Sequence, residues 1–133
     1  MLTIKTTLKE VPGMGIGLFA DEDLTKEQIW WEWDPSIDLM IQSEEFKSLS
    51  KLAQAFVEKY TVKDKFGNYW LDSDNGKFVN HSNLPNSTGI DYIDGISMKV
   101  KTIKPVLKGE ELTMNYREFT HDYPDGKLTF EIK

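Results

Sequence analysis

Along most of the chain, apolar and polar residues alternate with the two-residue period of half-buried strands. At one place they switch to the three-to-four-residue period of a helix. Residues 2–11 predict a strand that stops at Pro12-Gly13. QIWWEW, residues 28–33, predicts a second, ended by Pro35, with Trp31 and Trp33 on one face and Trp30 and Glu32 on the other. GISMKVKTIKPVL, residues 95–107, predicts a third, and ELTMNY a short fourth after the turn at Lys108-Gly109. The helical period spans 43–60, where Phe46, Leu49, Leu52, Ala53, Phe56 and Tyr60 share a face. Ser43 is placed to cap this helix, and Glu44 and Glu45 lie at the positive end of its dipole.

Turn formers break the remaining stretches. GMGIGLFA, residues 13–20, has three glycines in five positions and predicts a special turn, not a strand interior. Residues 67–76 are turn-rich, and Phe78-Val79 leads into the polar loop NHSNLPNS. The tail from Arg117 to Lys133 predicts a hairpin around Pro124-Asp125-Gly126. Short strands with one modest helix make a mostly-β domain.

The chain has 133 residues, the length of one domain, and can bury about two-thirds of its unfolded surface. Sixteen basic side chains against twenty-two acidic ones leave a net charge of -6. That balance argues against direct nucleic-acid binding, which needs a basic surface, and favours basic partners. The absence of cysteine excludes disulfides, thiolate metal sites and cysteine nucleophiles. No apolar run reaches signal-peptide or membrane-spanning length, so the expectation is an intracellular protein, cytoplasmic or nuclear, with no membrane contact. In that setting the N-x-[ST] matches at Asn80 and Asn86 are chance.

Several motifs fail on context. Gly15-Ile16-Gly17-Leu18-Phe19-Ala20 fits a dinucleotide fingerprint, yet no crossover helix has room to follow it. Asp72-Ser73-Asp74 opens like a calcium loop, but Gly76, Lys77 and Asn83 stand at positions that need other residues. His81 and His121 lack metal-ligand spacing, so no metal site is expected, and Ser82 beside His81 is no nucleophile elbow. Taken alone, the Asn-rich loop at 80–86 would be held by its own side chains, Tyr116 would be a half-buried strand residue, and the tryptophans would be core or interface.

Three segments in order change this picture: GIGLFA, then FVNHSNLPN, then GEELTMNY about thirty residues later. Together they resemble the SET-domain family of protein lysine methyltransferases, whose pattern is a G-x-G turn, an R-F-x-N-H-S-x-x-P-N loop and a G-E-E-L-T-x-D-Y segment. The resemblance spans about residues 3–119, making 1–119 the SET domain and 120–133 a flanking segment that closes or packs on the site. It implies a SET/β-clip fold of several small sheets with a knot-like crossing, in which 43–60 is the inserted helix. It also implies methyl transfer from S-adenosylmethionine to the ε-amine of a lysine in a basic protein segment.

Carried over by position, the resemblance places Gly15, Ile16 and Gly17 against the cofactor, Asn80 on its methionine part and the His81 backbone on its adenine. Tyr116 matches the catalytic tyrosine, Trp33 a channel aromatic, and Met114 the position that limits methyl number. Phe119 and Tyr123 either close the channel or pack the tail. Lys77 departs from the usual arginine and Asn115 from the usual aspartate. These departures and Met114 keep a second reading open, a non-catalytic SET-like module that binds a basic peptide or partner chain. Oligomeric state stays open as well, between a homodimer through Trp30, Trp31 and Trp33 and burial of those rings in the core.

Overall fold

The computed structural model describes residues 1–119. The expected tail hairpin, with His121 and Tyr123, lies outside the described residues.

β1 (Thr6–Val11) and β2 (Gly15–Ala20) form an antiparallel hairpin in which Thr6 faces Ala20 and Val11 faces Gly15. GIGLFA is therefore a strand, and the turn is confined to the residues before it. Gly13 and Gly15 adopt φ values of 78° and 92° at the turn. Beyond them Leu18 and Ala20 point into the core, and their alternation commits the rest of the segment to pairing.

β3 (Ile29–Glu32), β8 (Ser87–Ile93) and β9 (Ile96–Thr102) make a three-stranded sheet in the order β3-β9-β8. Strict alternation in β3 is lost at a register shift between Ile29 and Trp31, so Trp30 and Trp31 are both buried. Burial also removes both rings from the apolar surface that pairing through the tryptophans would use. The Trp30 indole N–H donates to the buried Ser87 hydroxyl at 2.9 Å. β8 was not expected, being rich in Ser, Thr, Gly and Asp. Its signal is Asp94-Gly95, a two-residue turn with φ of 52° and 88° that joins β8 to β9.

The predicted helix is two. α1 (Ser43–Lys47) and α2 (Lys51–Tyr60) are separated by Ser48-Leu49-Ser50. Ser48 donates its hydroxyl to the Glu45 carbonyl at 2.7 Å, and Ser50 caps α2 by accepting from the Ala53 N–H at 3.2 Å. Gln42, not Ser43, is the N-cap of α1. Restarting the helix rotates its face: Val57 is buried, whereas Leu52 is 86% exposed. α1 and α2 lie between β4 (Leu39–Ile41) and β5 (Thr61–Lys63), which flank β6 (Tyr69–Leu71) in a second three-stranded sheet. Ile41, Val57 and Tyr69, with Phe46 and Leu49, form a small core of their own, where Phe46 stacks on Tyr69 at 4.2 Å.

β7 (Asn80–His81) and β10 (Thr113–Met114) complete the fold as a two-residue parallel ladder, with Asn80 beside Thr113 and His81 beside Met114. Asn86 clasps the chain that follows the loop to the same segment. Its side-chain N–H donates to the Glu111 carbonyl at 2.7 Å, and its side-chain oxygen accepts from the Thr113 N–H at 3.0 Å. This clasp joins the two motif segments, so each can support the other.

Candidate active site

Tyr116 opens a 3-10 helix, Tyr116–Phe119, directly beyond β10. Its backbone N–H donates to Nδ1 of His81 at 3.1 Å, and its hydroxyl donates to the Val79 carbonyl. Asn83 Oδ1 lies 3.0 Å from the other ring nitrogen of His81. An acceptor on one side and a donor on the other assign the neutral tautomer with hydrogen on Nε2. His81 is buried, and its ring meets that of Tyr116 edge-on at 5.4 Å. Val79 and His81, leading into and starting this loop, therefore fix the tyrosine through both side chain and backbone.

Asn80 reaches the glycine hairpin. Its side-chain N–H donates to the Ile16 carbonyl at 3.3 Å and to Glu111 Oε2 at 2.8 Å. A Cβ at Gly17 would stand 2.6 Å from that Glu111 oxygen and 3.1 Å from the Asn80 nitrogen. Gly17 is thus needed for the approach of the chain's own side chains. Gly15 is different: it is exposed, with nothing within 4 Å of where a Cβ would lie. Glu111 was missed as a site residue, although it lies within the GEEL segment.

Beside Tyr116 a cavity offers about 130 Å³ to water-sized molecules, between the large core and the β4-β6-β5 sheet. Trp33, Met114 and Tyr116 line it, as do Tyr60, Trp70 and Asp72. Trp33 meets Trp70 at 4.9 Å in an edge-on contact, and Met114 is buried in β10. Trp70 and Asp72 escaped the sequence reading because they lie in a stretch dominated by turn formers. Burial and the nearby charges of Asp38 and Asp74 push the Asp72 carboxyl up to about 7, against the pull of the Met1 α-amino group and Lys77. Lys77 also lines the cavity and donates to the Asp74 carbonyl at 3.3 Å, so it supports the turn that precedes Phe78. Phe119 ends the 3-10 helix; Tyr123 lies outside the described residues.

The family description "SET domain" matches residues 15–117. A SET and MYND domain-containing protein of Dictyostelium discoideum is 38% identical over 55 residues, which are 41% of this chain and 14% of that protein's length. Among solved structures, a Plasmodium falciparum candidate histone methyltransferase superposes with a TM-score of 0.61 at 22% identity, covering 86% of this chain and 95% of that one. The methyltransferase domain of human histone-lysine N-methyltransferase SETMAR gives 0.62 at 19% identity, covering 91% of this chain and 47% of that one. Polycomb Repressive Complex 2 of Chaetomium thermophilum, in an autoinhibited conformation bound to S-adenosylmethionine, gives 0.63 at 20% identity over 92% of this chain and 16% of that one. The ordered motifs, the several small sheets, the profile over most of the chain and these superpositions agree, and the chain belongs to the SET-domain family.

Proposed function

We propose that this protein is a protein lysine N-methyltransferase that uses S-adenosylmethionine. The observation that carries the reading is Tyr116, held at both its backbone and its hydroxyl, on the wall of a tryptophan-lined cavity. The methyl donor fits the hairpin side of the site: the surface at Gly15 is open, and the side-chain oxygen of Asn80 has no hydrogen bond among the described residues, so it can accept from an ammonium group. Gly15, Ile16, Gly17, Asn80 and His81 would hold the donor, which supplies an electrophilic methyl group on a sulfonium.

The residues on the cavity side then act on the amine. Trp33 and Trp70 exclude water and offer ring faces to a methylammonium cation. Met114 limits the space beside the reacting nitrogen. The Tyr116 oxygen can hold a polarised methyl group through weak C–H···O contact. Alignment in such a site supplies much of the rate of an in-line displacement. The net charge of -6 favours a lysine within a basic protein segment.

The test is incubation with labelled S-adenosylmethionine and a lysate, followed by mass spectrometry of the labelled residue. Methyl-lysine is expected, with Tyr116→Phe slowing its formation about a hundredfold. Full activity in that variant would remove Tyr116 from the chemistry. No binding of S-adenosylmethionine by calorimetry would favour a non-catalytic peptide-binding module instead.

A further inference from the structure

Three acids lie close together at the start of the β6-to-β7 connection, and the fold uses two of them. Asp38 is buried and accepts from the backbone N–H groups of Asp34 at 2.9 Å and Ser73 at 3.0 Å. Its carboxylate also pairs with the Met1 α-amino group at 3.2 Å. Asp74 accepts from the N–H groups of Leu2 at 2.6 Å and Gly76 at 3.0 Å, and so caps the 3-10 helix Asn75–Phe78. Asp72 makes no hydrogen bond or ion pair among the described residues. Among the described residues it is also the one acid lining the tryptophan cavity, together with Tyr116.

A carboxylate placed in an aromatic cavity without a structural partner is disfavoured by desolvation unless something compensates for it. The cavity itself defines what that is. A lysine side chain entering the cavity alongside Trp33 and Trp70 brings an ammonium group whose ordinary pKa is about 10.4, while methyl transfer needs the neutral amine. We propose that Asp72 takes the ammonium proton of the substrate lysine inside this cavity. An N–H bond breaks with its electrons left on nitrogen as the lone pair, and an O–H bond forms on the Asp72 carboxylate. The amine is then the nucleophile, and the protonated acid returns its proton to water when the product leaves.

The surroundings suit the exchange. Burial, Asp38 and Asp74 raise the proton affinity of Asp72, while the Met1 α-amino group and Lys77 lower it. Lys59 of α2 also lines the cavity and disfavours a second cation there. The same desolvation that raises an acid lowers an amine, so the two groups approach each other in proton affinity. A general base poised near neutral pH is the most effective one at neutral pH.

The inference rests on the methyl-transfer reading, and two measurements separate their fates. The first is carbon-13 NMR titration of the aspartate carboxyls in the wild-type protein, with n-butylammonium as the lysine side-chain probe. A resonance absent from Asp72→Asn should titrate near pH 7 and move about half a pH unit lower with the probe. If no aspartate carboxyl of the wild-type protein titrates above pH 5, or none that does so moves with the probe, the proposal is overturned even if the variant fails to fold. The second is the pH profile of kcat/KM for methyl transfer. The wild-type inflection near pH 7 should vanish in Asp72→Asn, with at least about a tenfold loss, and return in Asp72→Glu. An unchanged rate and profile in Asp72→Asn overturns the role of Asp72 and leaves methyl transfer standing. A carboxyl that responds to the probe in a protein that methylates nothing supports the acid–amine pairing and overturns the methyl-transfer reading.

Discussion

Nδ1 of His81 accepts the backbone N–H of Tyr116 at 3.1 Å, across 35 residues of sequence. The ring is thus a structural acceptor first, whatever its backbone does for a ligand. His81→Phe keeps a ring in the buried site and leaves that N–H without a partner. The expected cost is about 2 kcal/mol in chemical denaturation. Asn83→Ala, at an exposed position, should cost much less while loosening the ring's orientation.

Gly15 and Gly17 should respond differently to alanine. Gly15→Ala meets open space but must hold a φ of 92°, a strain of about 1 kcal/mol. Gly17→Ala drives a methyl group to 2.6 Å from Glu111 Oε2 and 2.7 Å from Val11 Cγ2. It should cost about 2 kcal/mol and break the Asn80–Glu111 hydrogen bond. Because both close atoms end side chains, Gly17→Ala combined with Glu111→Ala should recover part of the loss. Thermal melts of the four proteins check this, and strict additivity would contradict it.

Two acids, Asp64 buried and Asp72 half-buried, should pull stability in opposite directions with pH. Burial alone would raise Asp64, but hydrogen bonds from Trp70 and from the N–H groups of Asn68 and Phe66 outweigh it and hold the carboxyl below its usual range. The native state therefore binds the Asp64 proton less readily than the unfolded chain. Its contribution is present above the unfolded value, near pH 4, and is lost as pH falls through the lower folded value. Asp72, raised to about 7, does the reverse: the unfolded chain ionises first, so stability falls as pH rises from about 4 to 7. Asp72→Asn should be more stable than wild type above pH 7 by about 2 kcal/mol, less than the full shift because the residue keeps some contact with water. Asp64→Asn should be less stable at pH 7 and no worse than wild type in strong acid. Urea melts across pH 3–8 read both.

Much of the hydrogen-bonded framework of the candidate site was legible because its segments carry side chains with few interchangeable partners. Asn80, His81 and Asn86 each make long-range hydrogen bonds to the segment from Glu111 to Tyr116, and that pairing underlies the motif order. The hydrophobic period also placed β1, β3 and β9. It failed where packing overrode it. The register shift before Trp31 buried two successive tryptophans, and Ser48 and Ser50 ended one helix and began another inside a continuous apolar pattern. Trp70 and Asp72 were hidden because β6 is only three residues long, ends just before Asp72 and is bounded by turn formers. Their role comes only from the cavity they share with Tyr116.

The division of the interior into a large and a small core has a further consequence. Tyr60, Thr61, Val62 and Trp70 form one wall of the cavity and belong to the region that the small core holds in place. Regions with fewer buried apolar contacts open at lower free energy than the molecule as a whole. The β4-β6-β5 sheet with α1 and α2 should therefore exchange its amide protons faster than β2, β3 and β9. Such breathing would admit or release a bulky side chain while Tyr116, Asn80 and Glu111 stay in register on the firmer half.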